Sequence, residues 1–270
     1  MHNRTPRDTL AAQACAFLGL VHALTVRDLR VENRSAALGV LIPVGVILVW
    51  AAAFYFFLSF IGSRVVPIRA DRLTFLVGGV LVFFFHVQTA TAVANALNPA
   101  MMRHAPATPF LFVCVKALGA GYKLTLAALI LLAANGLVRG IWEMVDPLTL
   151  IAALGIAWGG GVAVGVLFMA AKRYLTWAQI VQTAYMRLCF FTSGKFFVAS
   201  HLPGQIRDVM EWNPLFHVLD QARGAMFLNY TAATTGLLYP VQVYGGLAVL
   251  ALLVEHWVRT RYSLSHAPLG

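Results

Sequence analysis

Six apolar stretches, each near the roughly 20 residues a helix needs to cross a bilayer, set what this 270-residue chain can become. They run over Ala37–Ile61, Leu73–Leu97, Phe110–Ala134, Leu148–Ala171, Trp177–Ala199 and Leu237–Val258. The expected fold is all-α: a polytopic membrane protein of six transmembrane helices, with an amphipathic interface helix at the N-terminus and short re-entrant helices before the last span. Residues 1–35 form the first region and 36–270 the membrane domain. At 60% hydrophobic, 11% charged and mean hydropathy +0.77, the chain does not match a water-soluble domain of ordinary composition.

An even number of spans puts both termini on one side, and the cations choose which. Arg4, Arg7, Arg27, Arg30, Arg34, Arg103, Lys172, Arg173, Arg259 and Arg261 fall on the N-terminal side of the membrane. Six arginines, at positions 64, 69, 72, 139, 207 and 223, fall on the other. The positive-inside tendency then makes the N-terminal side cytoplasmic. Lys and Arg outnumber Asp and Glu by 20 to 10, an excess that fits loop anchoring to anionic lipid. No basic run with interleaved aromatics points to nucleic acid.

The start of the chain poses a choice. Arg4 and Arg7 followed by Leu10–Leu24 imitate a signal peptide, but Asp8 and Gln13 sit badly with one and no soluble domain follows. Leu10, Ala14, Phe17, Leu18, Val21 and Leu24 share one helical face, which predicts an amphipathic helix on the cytoplasmic surface.

Cations inside the spans demand an account. Lys116 and Lys123 lie seven apart in the third span, and Arg187 and Lys195 eight apart in the fifth. Each costs roughly 2.5 to 3.5 kcal/mol at full depth, and Glu255 is the one acid within the spans. Lys116 is expected to snorkel to the headgroups, whereas Lys123 sits near mid-span. Such cations face a hydrated cavity, carbonyls or an anionic ligand, so a substrate path is one expectation for all four. Trp50 and Tyr55 admit two readings, an interfacial belt or a conduit wall that stacks on sugar rings. Pro43 interrupts the first span. In the fourth, Gly155/Gly159 and Gly161/Gly165 permit close helix approach.

Between the second and third spans, Asn98–Pro109 is broken by Pro99, Pro106 and Pro109, leaving Met101, Met102, Arg103 and His104 for a single cytoplasmic turn. Either a tight connection or a docking knob for a soluble partner fits. The stretch Phe190–Leu228 is too polar to span and too apolar for an ordinary loop. A short helix is expected over Gly204–Trp212. Asn213 as N-cap and Pro214 at the first helical position start a second one, with Leu215, Val218, Leu219, Ala222 and Met226 on its apolar face. Those residues predict a helix at the membrane surface or dipping into it, with Asp220 and Arg223 paired on the exposed side. A packing loop without further role is the alternative.

Chemistry-bearing motifs are few. Cys15, Cys114 and Cys189 are isolated and read as small core residues. The histidines, among them His86, His104, His201 and His217, form no metal-binding spacing. Gly194-Lys195 lacks the remainder of a phosphate-binding loop, so ATP is not cradled by that motif. A membrane-embedded enzyme using its histidines stays open beside a transport role.

Taken in order, the N-terminal amphipathic helix, six spans, Pro-bounded turn and short helices before span six resemble the membrane subunit of ABC-2 type exporters. The likeness is to the permeases that export capsular polysaccharide and O-antigen. It is carried most specifically by Ser193-Gly194, Phe196-Phe197, Leu202-Pro203 and Trp212-Asn213-Pro214-Leu215 with His217 following, and further by the basic lead-in Arg27–Gly39. Lys195 departs from it, standing where an apolar residue is more usual.

The resemblance implies a homodimer in the bacterial inner membrane, paired with two copies of an ABC ATPase subunit that holds ATP and Mg, with no cofactor in this chain. It places the coupling helix at Met101–His104 and exit re-entrant helices around Trp212, Asn213, Pro214 and His217. For the capsule branch it implies periplasmic and outer-membrane partners. The substrate is then a polysaccharide or its lipid-linked form, and the four cations favour an acidic one. A permease for a drug or lipid is the alternative within the family.

Overall fold

The computed structural model describes residues 6–32, 36–60, 72–97, 108–139, 145–199 and 202–265, and within these it is all-helical. The helices are α1 (Pro6–Glu32), α2 (Ala36–Phe60), α3 (Arg72–Ala94), α4 (Pro109–Arg139), α5 (Pro147–Tyr174), α6 (Ala178–Thr192), α7 (Gly204–Glu211), α8 (Pro214–Met226) and α9 (Leu238–Ser265). The turn expected at Met101–His104 lies outside the described residues.

Among the described residues, four helices are long and apolar enough to cross a membrane: Leu73–Ala94, Pro109–Leu137, Pro147–Tyr174 and Leu238–Trp257. These correspond to the second, third, fourth and sixth expected spans. The first is represented by α2, whose apolar part is the shorter Leu41–Phe57. Pro43 does not interrupt it, because α2 runs through that residue. The fifth expected span is cut short. Helix α6 stops at Thr192, and Gly194 takes φ +73°, the left-handed region that glycine enters without a Cβ clash. The chain therefore leaves the helix seven residues before Ala199.

At the centre stands α3, the most enclosed of the four spanning helices. Lipid gives apolar helices no hydrophobic reason to associate, so contact depends on how closely backbones approach. A Cβ on Gly161 would fall 2.5 Å from the His86 carbonyl oxygen, and one on Gly165 would meet Val93 and Ala90 at 2.6 and 2.8 Å. Gly160 presses likewise on the Tyr244 ring of α9. Gly155 and Gly159 have no neighbour within 4 Å, so of the two expected glycine pairs only Gly161/Gly165 forms the seam. Polar ties hold the ends. Thr74 donates to Asn135 at 2.8 Å at one end, and Lys172 donates to Asn95 at 2.8 Å at the other.

Helix α1 is not a free surface helix. It runs alongside the first part of α4 in the same direction, with Phe17 stacked on Phe110 and Val21, Leu111 and Val115 buried together. Leu18 and Ala14, expected on the apolar face, remain exposed. Asp28 meets Lys116 at 2.8 Å through both carboxylate oxygens. Lys116 is therefore paired with an acid from outside the spans rather than snorkelling. Cys15 is exposed, Cys114 half-buried and Cys189 buried, so only the last is a core residue.

Candidate functional site

The short helices α7 and α8 are where the expectation changes most. Asn213 caps α8 as its position suggested: its side chain accepts from the Leu215 N–H at 3.0 Å, and Pro214 opens the helix. The Asn213 amide also donates to the Thr192 hydroxyl at 2.7 Å, fixing the start of α8 to the end of α6. Helix α8 is not at a surface, however. Leu215, Val218, Leu219 and Ala222 are buried, and so are Phe216, Asp220 and Arg223 on its other sides. It contacts α3, α5 and α9, and its Ala225 carbonyl accepts from the Val145 and Asp146 N–H groups before α5.

Asp220 and Arg223 are not an exposed pair. Asp220 accepts from the hydroxyls of Tyr230 and Thr235, and Gln221 donates to the Ala232 and Thr235 carbonyls, which together fold the segment after α8. Arg223 turns the opposite way. One guanidinium nitrogen donates to the Gly194 and Phe197 carbonyls, the other to that of Lys195, and the group lies 4.0 Å from the centre of the Phe75 ring. The turn after α6 is thus clamped to α8 by one side chain.

Lys195 is held within that turn. It is 1% exposed, its Nζ donates to the Phe190 carbonyl at 2.9 Å, and it sits 3.5 Å and 3.2 Å from the ring centres of Phe83 and Phe190, with Phe196 4.9 Å away. Both cations lie at the C-terminal end of α6, where unpaired carbonyls and the helix dipole present negative potential. Buried cations thereby find compensation without a carboxylate in contact. The trace of this arrangement in the sequence is Gly194 beside Lys195, and its meaning depends on α6 ending at Thr192.

An aromatic group lies beside the turn. Phe54 stacks on Phe196 with centroids 3.6 Å apart, and Trp50 stacks on Phe54 at 6.0 Å and meets Phe190 at 5.4 Å. Trp50 is 41% and Tyr55 38% exposed. Trp50 therefore backs the Phe190 ring that covers Lys195 while presenting one side outward.

The four expected path cations have four different surroundings. Lys116 is paired with Asp28, Lys195 is enclosed by rings, Arg187 is exposed on α6, and Lys123 lines a cavity beside α1. Of the expected exit residues, Trp212 is exposed and its carbonyl accepts from Tyr239 at 2.9 Å. His217 bridges two segments, donating through Nε2 to the Glu211 carbonyl at 2.9 Å and accepting at Nδ1 from the Gly236 N–H at 3.4 Å. The sequence alone reads His86 as a hydrogen-bonding histidine, and it is one. It is buried between α3, α5 and α6, with Nδ1 3.2 Å from the Ala157 carbonyl and Nε2 2.8 Å from the Tyr185 hydroxyl. No group of three or more potential metal ligands occurs among the described residues. No protein-family model and no curated protein matches the chain.

Proposed function

We propose that this chain is the transmembrane subunit of an ATP-driven exporter that moves a polysaccharide or its lipid-linked form out of the bacterial cytoplasm. The observation that carries the reading is the excursion between α6 and α9. Between them come a turn, the exposed short helix α7 and then α8, and α8 is immersed among the spanning helices and tied to the end of α6. This gives the bundle an internal plug, held by apolar packing against three helices and by polar ties to the end of α6. Beside it, Trp50 presents a partly open ring of the kind sugars stack on. ATP hydrolysis comes from a separate subunit, which docks at Met101–His104, and two copies of the chain complete the path. With Lys116 and Lys195 engaged by protein partners, a preference for acidic polymer rests on Arg187, exposed on α6.

The test is a strain lacking the gene. Polymer should accumulate inside the cell and vanish from its surface, and return with the intact chain. Trp50→Ala should insert normally and restore less export. Normal surface polymer in the deletion strain would remove the reading, and accumulation of a different amphiphile inside the cell would redirect it to the drug or lipid branch.

A further inference from the structure

A groove of about 500 Å³ runs between α4 and α5, floored by Phe85 of α3. Both helices pack on α3 but touch each other little. Gly155, where a Cβ would meet nothing within 4 Å, leaves the space wider still. The α4 wall extends from Gly121 to Leu132 and the α5 wall from Trp158 back to Pro147, roughly 16 Å along each helix at the usual rise per residue. That is close to half of the roughly 30 Å hydrocarbon thickness. Trp158 closes the inner end. It crosses to α4, where its Nε1 donates to the Ala117 carbonyl at 2.9 Å and lies 2.9 Å from a Cβ built on Gly121. Gly121 and Trp158 stand near the middle of their spans, Pro109–Leu137 and Pro147–Tyr174. The groove is open along its side, because Leu129 and Ile151 on its rims are 57% and 67% exposed. Its described lining residues include no charged side chain, and with the indole N–H committed, Thr125 is the one polar side chain left among them.

We infer that this groove holds one acyl tail of a bilayer phospholipid as a resident of the structure, with the tip of the tail against Trp158 and its ester end toward Pro147. Length and width both select that occupant. An acyl tail reaches from the ester level to the middle of the bilayer, which is the course of the groove from Pro147 to Trp158. Spread over that length, the volume leaves a cross-section of roughly 30 Å², against roughly 80 to 110 Å² for a helix 10 to 12 Å across. A helix of a second copy therefore does not seat in it. Water is a poor occupant as well, since it needs about two to four polar partners. A slot left unfilled forfeits dispersion contacts along both walls. In lipid it is such contact, and not a hydrophobic drive, that holds helices together, so the tail serves as packing between α4 and α5. The inference does not depend on what the protein exports.

The intact protein is purified in a mild detergent that strips loosely bound lipid, and native mass spectrometry counts what stays. One phospholipid should remain on each copy. Gly155→Leu places a side chain in the groove and should lower that occupancy several-fold. Gly159→Leu, one turn further along α5, outside the groove and likewise with open space at its Cβ, should keep it. A second measurement decides the matter if Gly155→Leu does not insert. The parent protein is reloaded with phosphatidylcholine brominated either at the tail end or beside the ester. The tail-end bromine should quench the share of emission that Trp158→Phe removes, and the ester-side bromine should quench it less. No phospholipid on the parent protein, a retained mass of another kind, undiminished occupancy in an inserted Gly155→Leu variant, or equal quenching from the two bromine positions would each overturn the assignment. So would a dimer that falls apart in Gly155→Leu with its lipid still bound, which would give the groove to a second copy.

Discussion

Arg223 shows how a buried charge is kept without a carboxylate in contact: three carbonyl oxygens of the turn after α6 accept from it. Arg223→Lys retains the charge but cannot reach all three, and a buried carbonyl left unsatisfied costs about 1 to 3 kcal/mol. The variant should unfold at lower temperature in detergent, and Arg223→Met lower still; a melting temperature equal to that of the parent chain would sink the clamp. The glycines give a paired expectation. A Cβ at position 79 would stand 2.7 Å from the Lys195 carbonyl oxygen, which cannot move aside like a side chain, whereas one at 155 meets nothing within 4 Å. Gly79→Ala should therefore destabilise by roughly 1 to 3 kcal/mol, and Gly155→Ala should be neutral or slightly stabilising, compared in one unfolding assay.

Asp146 adds a titrating contact outside the spans. The Thr149 hydroxyl first, and the Thr149 and Leu148 N–H groups with it, hold its carboxyl below the usual carboxylate range. With the folded value depressed, the stabilisation is complete above the unfolded pKa of about 3.9 and is lost as pH falls through the folded value. Asp146→Asn keeps a good cap without the titration. The melting-temperature advantage of the parent chain over the Asp146→Asn variant should shrink on acidification, and an advantage constant from neutral pH down to about pH 3 would refute the linkage.

At the scale of the helices, Asp28 and Lys116 fasten α1 to α4, and neither is fully exposed, at 11% and 19% of the side chain. Asp28→Asn and Lys116→Met should each weaken protection of α1 from proteolysis. The double change should cost less than the sum of the two, because each single change leaves a charge without its partner. Strictly additive losses would mean the pair does not couple the helices. The start of α8 was legible from Asn213-Pro214, since capping and a preset φ are local properties, and Asn213→Ala should cost about 1 kcal/mol. Its burial on the polar as well as the apolar side was not legible. Asp220 and Arg223 at i and i+3 look like a surface pair until the chain folds and Tyr230, Thr235 and the turn at Gly194 come within reach. Lys116 was misread for the same reason: its partner is 88 residues away. Period and composition locate helices, but not the partners that long-range packing brings.

For the whole molecule, hydropathy located the apolar runs that became α2 to α6 and α9, yet among the described residues only four helices have the length and apolarity to cross. Counting residues to Ala199 overlooked that Gly194 lets the chain turn back. Reporter fusions after Arg34, Arg139 and Arg173 should read inside, outside and inside if α2 and α6 complete six crossings. An outside reading at Arg173 would break that topology. The brevity of α6 carries a further consequence. Fifteen residues cover roughly 22 Å, against roughly 30 Å of hydrocarbon. If α6 is the fifth crossing, lipid beside it must thin to meet it, at a cost of fractions of a kcal/mol for each ångström of mismatch. Two copies that bring their α6 helices together share one thinned rim instead of maintaining two. Self-association should thus strengthen as the acyl chains of the host membrane lengthen, and energy transfer between labelled copies in vesicles of graded thickness would reveal it. In that case the bilayer itself becomes a force for pairing.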